Sequence, residues 1–166
     1  MRKRVWAVVI FCVASAMLLC GCTPRASDPF AVMRGRFTAE ICGEVNGVAM
    51  EAVLEAQAVG EGARAVTVTV YAPSGLSGTV LRRGEDGAVQ VTVGDLAVTA
   101  PAGADFSALL DLFPVDRAVT DVTLDPNGHT TVNFAGGYIV LSSDGTPCAV
   151  HTDTVNVRVI GFEKSE

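Results

Sequence analysis

Residues 36–58, RFTAEICGEVNGVAMEAVLEAQA, decide the fold that this sequence predicts. Apolar and polar side chains alternate through both halves of the stretch, with the period of two that is typical of a β-strand with one buried face. Asn46-Gly47 separates the halves, and this dipeptide is the strongest short-range signal for a two-residue hairpin. The stretch therefore predicts two antiparallel strands with one shared apolar face, formed by Phe37, Ala39, Ile41, Met50, Ala52, Leu54 and Ala56.

The same period of two continues on the C-terminal side of this hairpin, and turn residues separate the segments. Further strands are predicted at residues 65–72, 79–83, 88–93, 96–100, 118–124, 129–134, 138–142, 147–152 and 154–162. With the first hairpin they make about eleven short strands, which predict a mainly β fold built as an antiparallel meander. Because a sheet of so many strands must curl, we expect a half-barrel.

Two segments depart from this period and predict helices. Asp28 can cap a short helix over residues 28–34, where Pro29 suits the first helical position and Gly35 the stop. A second helix is predicted over residues 106–112, between the potential cap Asp105 and Pro114. Its apolar residues recur at the spacing of one helix face, which groups Phe106, Leu109, Leu110 and Phe113.

The apolar stripe of the central helix has two interpretations. It either completes an ordinary core, or it covers a cavity on the concave side of the sheet. In the second case the floor of the cavity would include Val66, Val68, Val70 and Val91. A lining of valine and leucine with few polar groups suits an acyl chain. The candidate ligand-binding residues are therefore these four valines and the four residues of the apolar stripe, Phe106, Leu109, Leu110 and Phe113.

The first 22 residues, MRKRVWAVVIFCVASAMLLCGC, have a different composition from the rest of the chain. Three basic residues precede an uncharged apolar run, which is the plan of a secretory signal, and the run is shorter than the roughly 20 residues of a spanning helix. The run ends in Leu19-Cys20-Gly21-Cys22, which resembles the lipobox of bacterial lipoproteins. That resemblance implies cleavage after Gly21 and a diacylglyceryl thioether on Cys22.

This resemblance divides the chain into a signal peptide (residues 1–21), a lipidated tether (22–27) and a single β-rich domain (28–166). Two acyl chains hold a protein stably on a bilayer. We therefore expect an exported protein anchored to the outer face of the cell membrane, or to the outer membrane if the host has one. The alternatives are a secretory signal that is cut elsewhere, or an anchor that is not cleaved.

The charge of the mature chain argues against one class of partner. Without Arg2, Lys3 and Arg4, 9 basic residues remain against 18 acidic ones, a net charge of −9. An acidic domain is repelled by nucleic acid, so nucleic-acid binding is not expected.

Cys42 and Cys148 are the cysteines that remain beyond the anchor, in an exported setting where a disulfide can form. A bridge would close a very long loop and stabilise the fold by roughly 4–5 kcal/mol. The alternation places Cys42 on the opposite side of its strand from Phe37, Ala39 and Ile41, whereas Cys148 shares the side of Val150. The sequence therefore favours two separate thiols over a bridge.

Catalytic and metal-binding signatures are missing from the sequence, with no nucleophile elbow, zinc-protease pair, phosphate loop or Cys-x-x-Cys. His129 and His151 read as surface residues. Asp125, Asp144 and Asp153 sit beside turns, where short acids form local hydrogen bonds. Glu51 and Glu55 are predicted to be solvent-exposed charges on the same face of one strand. We therefore predict that the protein is not an enzyme and has no cofactor or metal.

The signal, the short N-terminal helix, the eleven-strand meander and the mid-chain helix together resemble the LolA/LolB/LppX superfamily, as does Pro73-x-x-Leu76-x-Gly78. The resemblance covers residues 28–162. It implies a half-barrel whose helices cover a hydrophobic cavity, and a protein that binds acyl chains or another lipoprotein. The alternative prediction is an envelope interaction lipoprotein with a filled core and no small ligand.

Overall fold

The computed structural model describes residues 28–59, 63–84, 86–100 and 107–165. The predicted signal peptide, the predicted tether with Cys22, and Phe106 lie outside these residues. Within the described chain no helix has the length and apolar character needed to cross a membrane.

The predicted fold class is confirmed, because eleven antiparallel strands form one open, curled sheet. The strands are β1 (Arg36–Val45), β2 (Val48–Val59), β3 (Ala63–Ala72), β4 (Val80–Arg83), β5 (Val89–Val93), β6 (Leu96–Ala100), β7 (Val119–Leu124), β8 (Thr130–Phe134), β9 (Gly137–Leu141), β10 (Pro147–Thr152) and β11 (Val155–Ser165). One α-helix, α1 (Ser107–Leu110), and one 3-10 turn (Ala31–Met33) complete the described structure.

The spatial order of the strands is β6-β5-β4-β3-β2-β1-β11-β10-β9-β8-β7. The chain therefore starts at the centre of the sheet, runs by successive neighbours to the edge strand β6, crosses to the opposite edge strand β7, and returns to the centre. There β11 pairs antiparallel with β1. The crossing between the two edges passes through α1, so it positions the only described helix across the concave side.

The first hairpin forms as its sequence predicts. Val45 pairs with Val48 across the turn, and Asn46 and Gly47 take the positive φ angles of 51° and 77° that a type I′ turn requires. The alternation is also confirmed: one face of β1 and β2 is buried, and Phe37, Ile41 and Leu54 on that face are each 1% exposed. This buried face is the concave side of the half-barrel and carries the core.

The two helical predictions were too long. At the N terminus, the structure forms a single 3-10 turn, and the Asp28 carboxylate accepts a hydrogen bond from the Phe30 N–H (3.0 Å). The central helix ends at Leu110 instead of Leu112. Pro114 has no N–H that could donate the next helical hydrogen bond to the Leu110 carbonyl. That carbonyl instead accepts a hydrogen bond from the Arg83 guanidinium (3.1 Å).

Candidate functional site

The segment that crosses the concave face, residues 107–117, is here called the strap. Most of its apolar side chains point into the core, and the buried ones are Leu109, Leu110, Leu112, Phe113, Pro114 and Val115. Three of the four predicted stripe residues are therefore buried against the sheet, and the fourth, Phe106, lies outside the described residues. The prediction missed Leu112 and Val115, because the chain leaves the helical period after Leu110.

The floor beneath the strap is apolar and closely filled. Val66, Val68 and Val70 are buried on β3, and the rings of Phe113 and Phe37 meet in a T-shaped arrangement at a centroid distance of 5.3 Å. The space left between strap and sheet at this point is about 10 Å³, roughly the volume that one water centre can occupy. In this conformation the strap completes a core.

Val91 differs from the other predicted floor residues. It packs against the core but is only partly buried, because the strap helix lies mainly over β3 and β4. Among the described residues, the concave face therefore has a part covered by the strap and a more exposed part at β5 and β6.

Arg64 is a charged side chain on the buried side of β3, and the sequence prediction missed it. Its guanidinium donates to the Met33 carbonyl (3.0 Å) and lies 5.2 Å from the centre of the Phe37 ring. Its Nε has no hydrogen-bond partner among the described residues. Burial lowers the pKa of this guanidinium; the negative charge of Asp116 partly offsets this, and the positive charges of Arg83 and Arg34 lower the pKa further. A signal existed in the sequence, since Arg64 has the same parity as Val66, Val68 and Val70.

Two further arginines hold the strap, one where its helix ends and one at its C-terminal end. The Arg83 guanidinium contacts the Asp111 carboxylate at 2.5 Å, in addition to its bond to the helix end. At the other end, Arg117 donates to the Ala135 carbonyl (3.2 Å) and lies 5.3 Å from the centre of the Phe134 ring. These contacts of Arg83 and Arg117 hold the strap in place, together with its buried apolar side chains.

Open grooves flank the strap on both sides. One, of about 580 Å³, lies between the strap and the turn at Gly84–Gly87 and is lined in part by Arg64, Arg83, Asp86 and Asp116. The other, of about 290 Å³, lies towards β10 and β11 and is lined in part by Arg117, Phe134 and Asp153. In the part of the chain that the structure describes, these grooves and the exposed end of the concave face are concave surfaces open to a partner.

The polar residues singled out from the sequence serve local structure. Asp125 accepts backbone hydrogen bonds from Asn127 and His129, both 2.8 Å, and these bonds lower its pKa. The Ser142 hydroxyl and the Thr146 backbone lower the pKa of Asp144 to about 2. The ring of His151 stacks on Tyr138. Among the described residues, no three His, Cys, Asp or Glu side chains cluster as metal ligands do.

Cys42 and Cys148 carry free thiols. Cys42 pairs with Arg158 on β11, and Arg158 pairs with Ala149 on β10. The register thus aligns Cys42 with Ala149 and not with Cys148, with a whole strand between the two cysteines. This agrees with the separate thiols that the parity of the sequence favoured.

An open, curled half-barrel of eleven antiparallel strands whose concave face is crossed by a strap defines the structural class of this protein. No protein-family profile matches the sequence, and no curated protein matches it significantly.

Solved structures share the fold at low sequence identity. MucB aligns with a TM-score of 0.50 and 14% identity, over 84% of this chain and 56% of MucB. The complex of Pseudomonas aeruginosa MucA and MucB aligns at 0.43 and 14%, over 83% of this chain and 54% of that chain. A DUF1329 family protein from Desulfovibrio piger aligns at 0.40 and 10%, over 82% and 73%. This chain thus spans little more than half of MucB, and the likeness concerns the fold.

Proposed function

We propose that this chain is an exported, lipid-anchored, non-enzymatic protein of the bacterial cell envelope that binds another envelope protein and holds no small ligand. The observation that carries this proposal is the filled space under the strap, about 10 Å³. Ligand pockets typically measure about 300–1,000 Å³, so an acyl chain does not fit beneath the strap in this conformation. The groove of about 580 Å³ beside the strap is open and lined in part by Arg83, Asp86 and Asp116, and such charged groups do not suit an acyl chain. A protein partner would therefore bind to the open surfaces of the half-barrel. MucB, whose fold is similar, has been solved in complex with MucA, which agrees with a protein partner.

Lipid binding after displacement of the strap is the second candidate function. The observation that favours it is the chemistry of the covered face, where Phe37, Leu54, Ala56 and Val66 surround the remaining gap. Arg64 is the one charged group lining it among the residues that the structure describes. A strap that swung outward would open an apolar trough that suits an acyl chain. The helix in the strap has four residues, too few to be stable without its tertiary contacts.

Replacing Leu109 by alanine distinguishes the two candidates. Leu109 is buried, and in a solid core its truncation is expected to lower the free energy of unfolding by about 2–5 kcal/mol. Urea denaturation of the purified mature protein measures this loss. Leu124→Ala is the matched control, because Leu124 is 73% exposed on β7 and should change stability by less than about 0.5 kcal/mol.

The same two variants and the wild type are then titrated with an apolar fluorescent dye and extracted for mass spectrometry. A filled core predicts no dye binding and no co-purified acyl chain in the wild type. A small stability loss in Leu109→Ala, together with dye binding or extracted lipid, would instead support the strap as a lid and refute the proposal.

Lipid anchoring through Cys22 is tested separately. Cys22→Ser removes the thiol that the lipobox resemblance marks for the thioether, so the variant is expected to lose metabolic labelling by an acyl chain and to accumulate as precursor. Cys20→Ser is the control, since Cys20 precedes the cleavage point and should leave labelling unchanged. Normal labelling and membrane fractionation of Cys22→Ser would rule out this anchor.

A further inference from the structure

The edge strand β6 and its neighbour β5 form an apolar surface that the strap does not cover. Val91 pairs with Val98, and Val93 pairs with Leu96, so these four side chains share the side that continues the core. Leu96 is 66% exposed, Val93 54% and Val98 53%. The surface lies at the margin of the sheet, next to the outward-facing backbone of β6.

The two edges of the sheet differ in how they are protected. At one edge, β7 contains Asp121 and a shift in register between Val119 and Asp121, and both a charge and a bulge discourage a further strand from pairing. At the other edge, β6 has the sequence LAVTA, which contains no charge and no proline, and it pairs with β5 in unbroken register. An unprotected apolar edge strand is a template for strand addition.

Resting on the proposed protein-binding function, we infer that β6 is the docking edge for an extended, apolar segment of the partner protein, flanked by basic residues. The segment adds to the sheet as a further antiparallel or parallel strand. Its backbone groups pair with those of β6, and alternate side chains cover Leu96 and Val98 on the concave side.

The acidic residues near β6 favour a partner segment with basic residues on either side of its apolar stretch. Asp95 lies in the turn before Leu96, at one end of β6. At the other end, Ala100 pairs with Val89, which follows the turn that carries the exposed Asp86. The arginines nearest to this edge, Arg82 and Arg83, lie on β4, and Arg83 is already paired with Asp111. A strand added to β6 thus meets Asp95 beside one end, and Asp86 lies further in, in the turn before β5.

A second copy of this chain fits the edge less well than a separate partner does. Two mature chains each carry a net charge of −9, so their acidic ends would repel one another across the pair. A stable dimer buries about 1,200–2,000 Å², which five-residue strands alone do not provide. An extended partner segment with basic flanks avoids this repulsion and needs to cover only the edge strand and its apolar side chains.

Site-specific photo-crosslinking in the cells that produce the full-length protein tests this inference. The photoreactive residue p-benzoylphenylalanine is placed singly at Ala97 on β6, Thr123 on β7, Tyr71 on β3 and Ile160 on β11. All four positions are exposed, so each samples a different surface of the same folded molecule. We expect a crosslinked partner at Ala97, and sequencing of the crosslinked peptide should show an apolar stretch with basic residues beside it.

A matched pair of charge variants then examines the edge itself. Val98→Lys places a charge on β6, and Val122→Lys places the same charge on β7, where Val122 is 51% exposed and as accessible as Val98. The crosslink at Ala97 should be lost with Val98→Lys and retained with Val122→Lys. Thr99→Lys, on the other face of β6, should abolish it too, which keeps the test decisive if Val98→Lys lowers the protein level.

Three results would overturn the inference. Protein crosslinks at Thr123, Tyr71 or Ile160 but not at Ala97 would refute the β6 edge and leave the protein-binding function intact. A product from Ala97 that contains a second copy of this chain, or a phospholipid in place of a protein, would refute the occupant. The absence of protein crosslinks at all four positions would refute the protein-binding function together with the inference.

Discussion

Gly43→Ala is expected to prevent the protein from reaching its native state. A Cβ at position 43 would lie 2.2 Å from the Asn156 carbonyl oxygen and 2.6 Å from the Cα of Val157. Both atoms belong to the backbone of β11, which cannot move aside without breaking the central pairing of β1 and β11. We expect a loss above about 4 kcal/mol, measured as the disappearance of the cooperative urea transition and of the β signal in circular dichroism.

Gly161→Ala is the matched control in the same pair of strands. There a Cβ would meet the side chain of Glu40 at 3.3 Å, and this flexible carboxylate can shift at little cost. The control should unfold within about 1 kcal/mol of the wild type. If Gly43→Ala unfolds at the same urea concentration as Gly161→Ala, the close approach of β1 and β11 is wrong.

Phe37→Ala is expected to have the largest effect of any truncation beneath the strap. The Phe37 ring is 1% exposed, contacts Phe113 edge-on and stacks on Phe162 at 5.1 Å. Truncating a buried phenylalanine costs about 3–5 kcal/mol, and each aromatic pair adds about 0.5–1.5 kcal/mol. The variant also leaves the Arg64 guanidinium without the ring over which it lies.

Phe37→Leu separates the contribution of volume from that of the ring. It keeps an apolar side chain in place, so its loss in the urea midpoint should be well below that of Phe37→Ala. A loss under about 2 kcal/mol for Phe37→Ala would contradict a filled core at this position, because only a site with space already beside the ring tolerates its removal.

The hairpins and the buried face could be predicted because their signals are local. The bounds predicted for β1, residues 36–45, are those of the structure, since Asn46-Gly47 fixes one end and the alternation fixes the face. The pairing of β1 with β11 has no such signal in either strand, because it joins the two ends of the domain.

The candidate site was predictable only in part, because tertiary contacts decide the path of the strap. The apolar spacing identified Leu109, Leu110 and Phe113 as buried, but it assumed a helix that the structure ends at Leu110. Arg64 was overlooked because arginine is expected on the surface. Its long apolar stem and its parity with Val66 allow it to lie along the core, with its charged end beside Met33 and Phe37.

The meeting of the first and last strands at the centre of the sheet has a consequence for the order of folding. Val45 pairs with Val155, 110 positions later, and Arg36 pairs with Ser165. The chain must therefore close its longest loop to complete its middle. The other strand pairs join neighbours in sequence, so this one distant pairing carries the largest entropic cost of loop closure. Until β11 has been synthesised, β1 remains an open edge with an apolar face. A nascent or truncated chain without β11 can therefore aggregate through β1, the strand that lies at the centre of the sheet once the fold is complete.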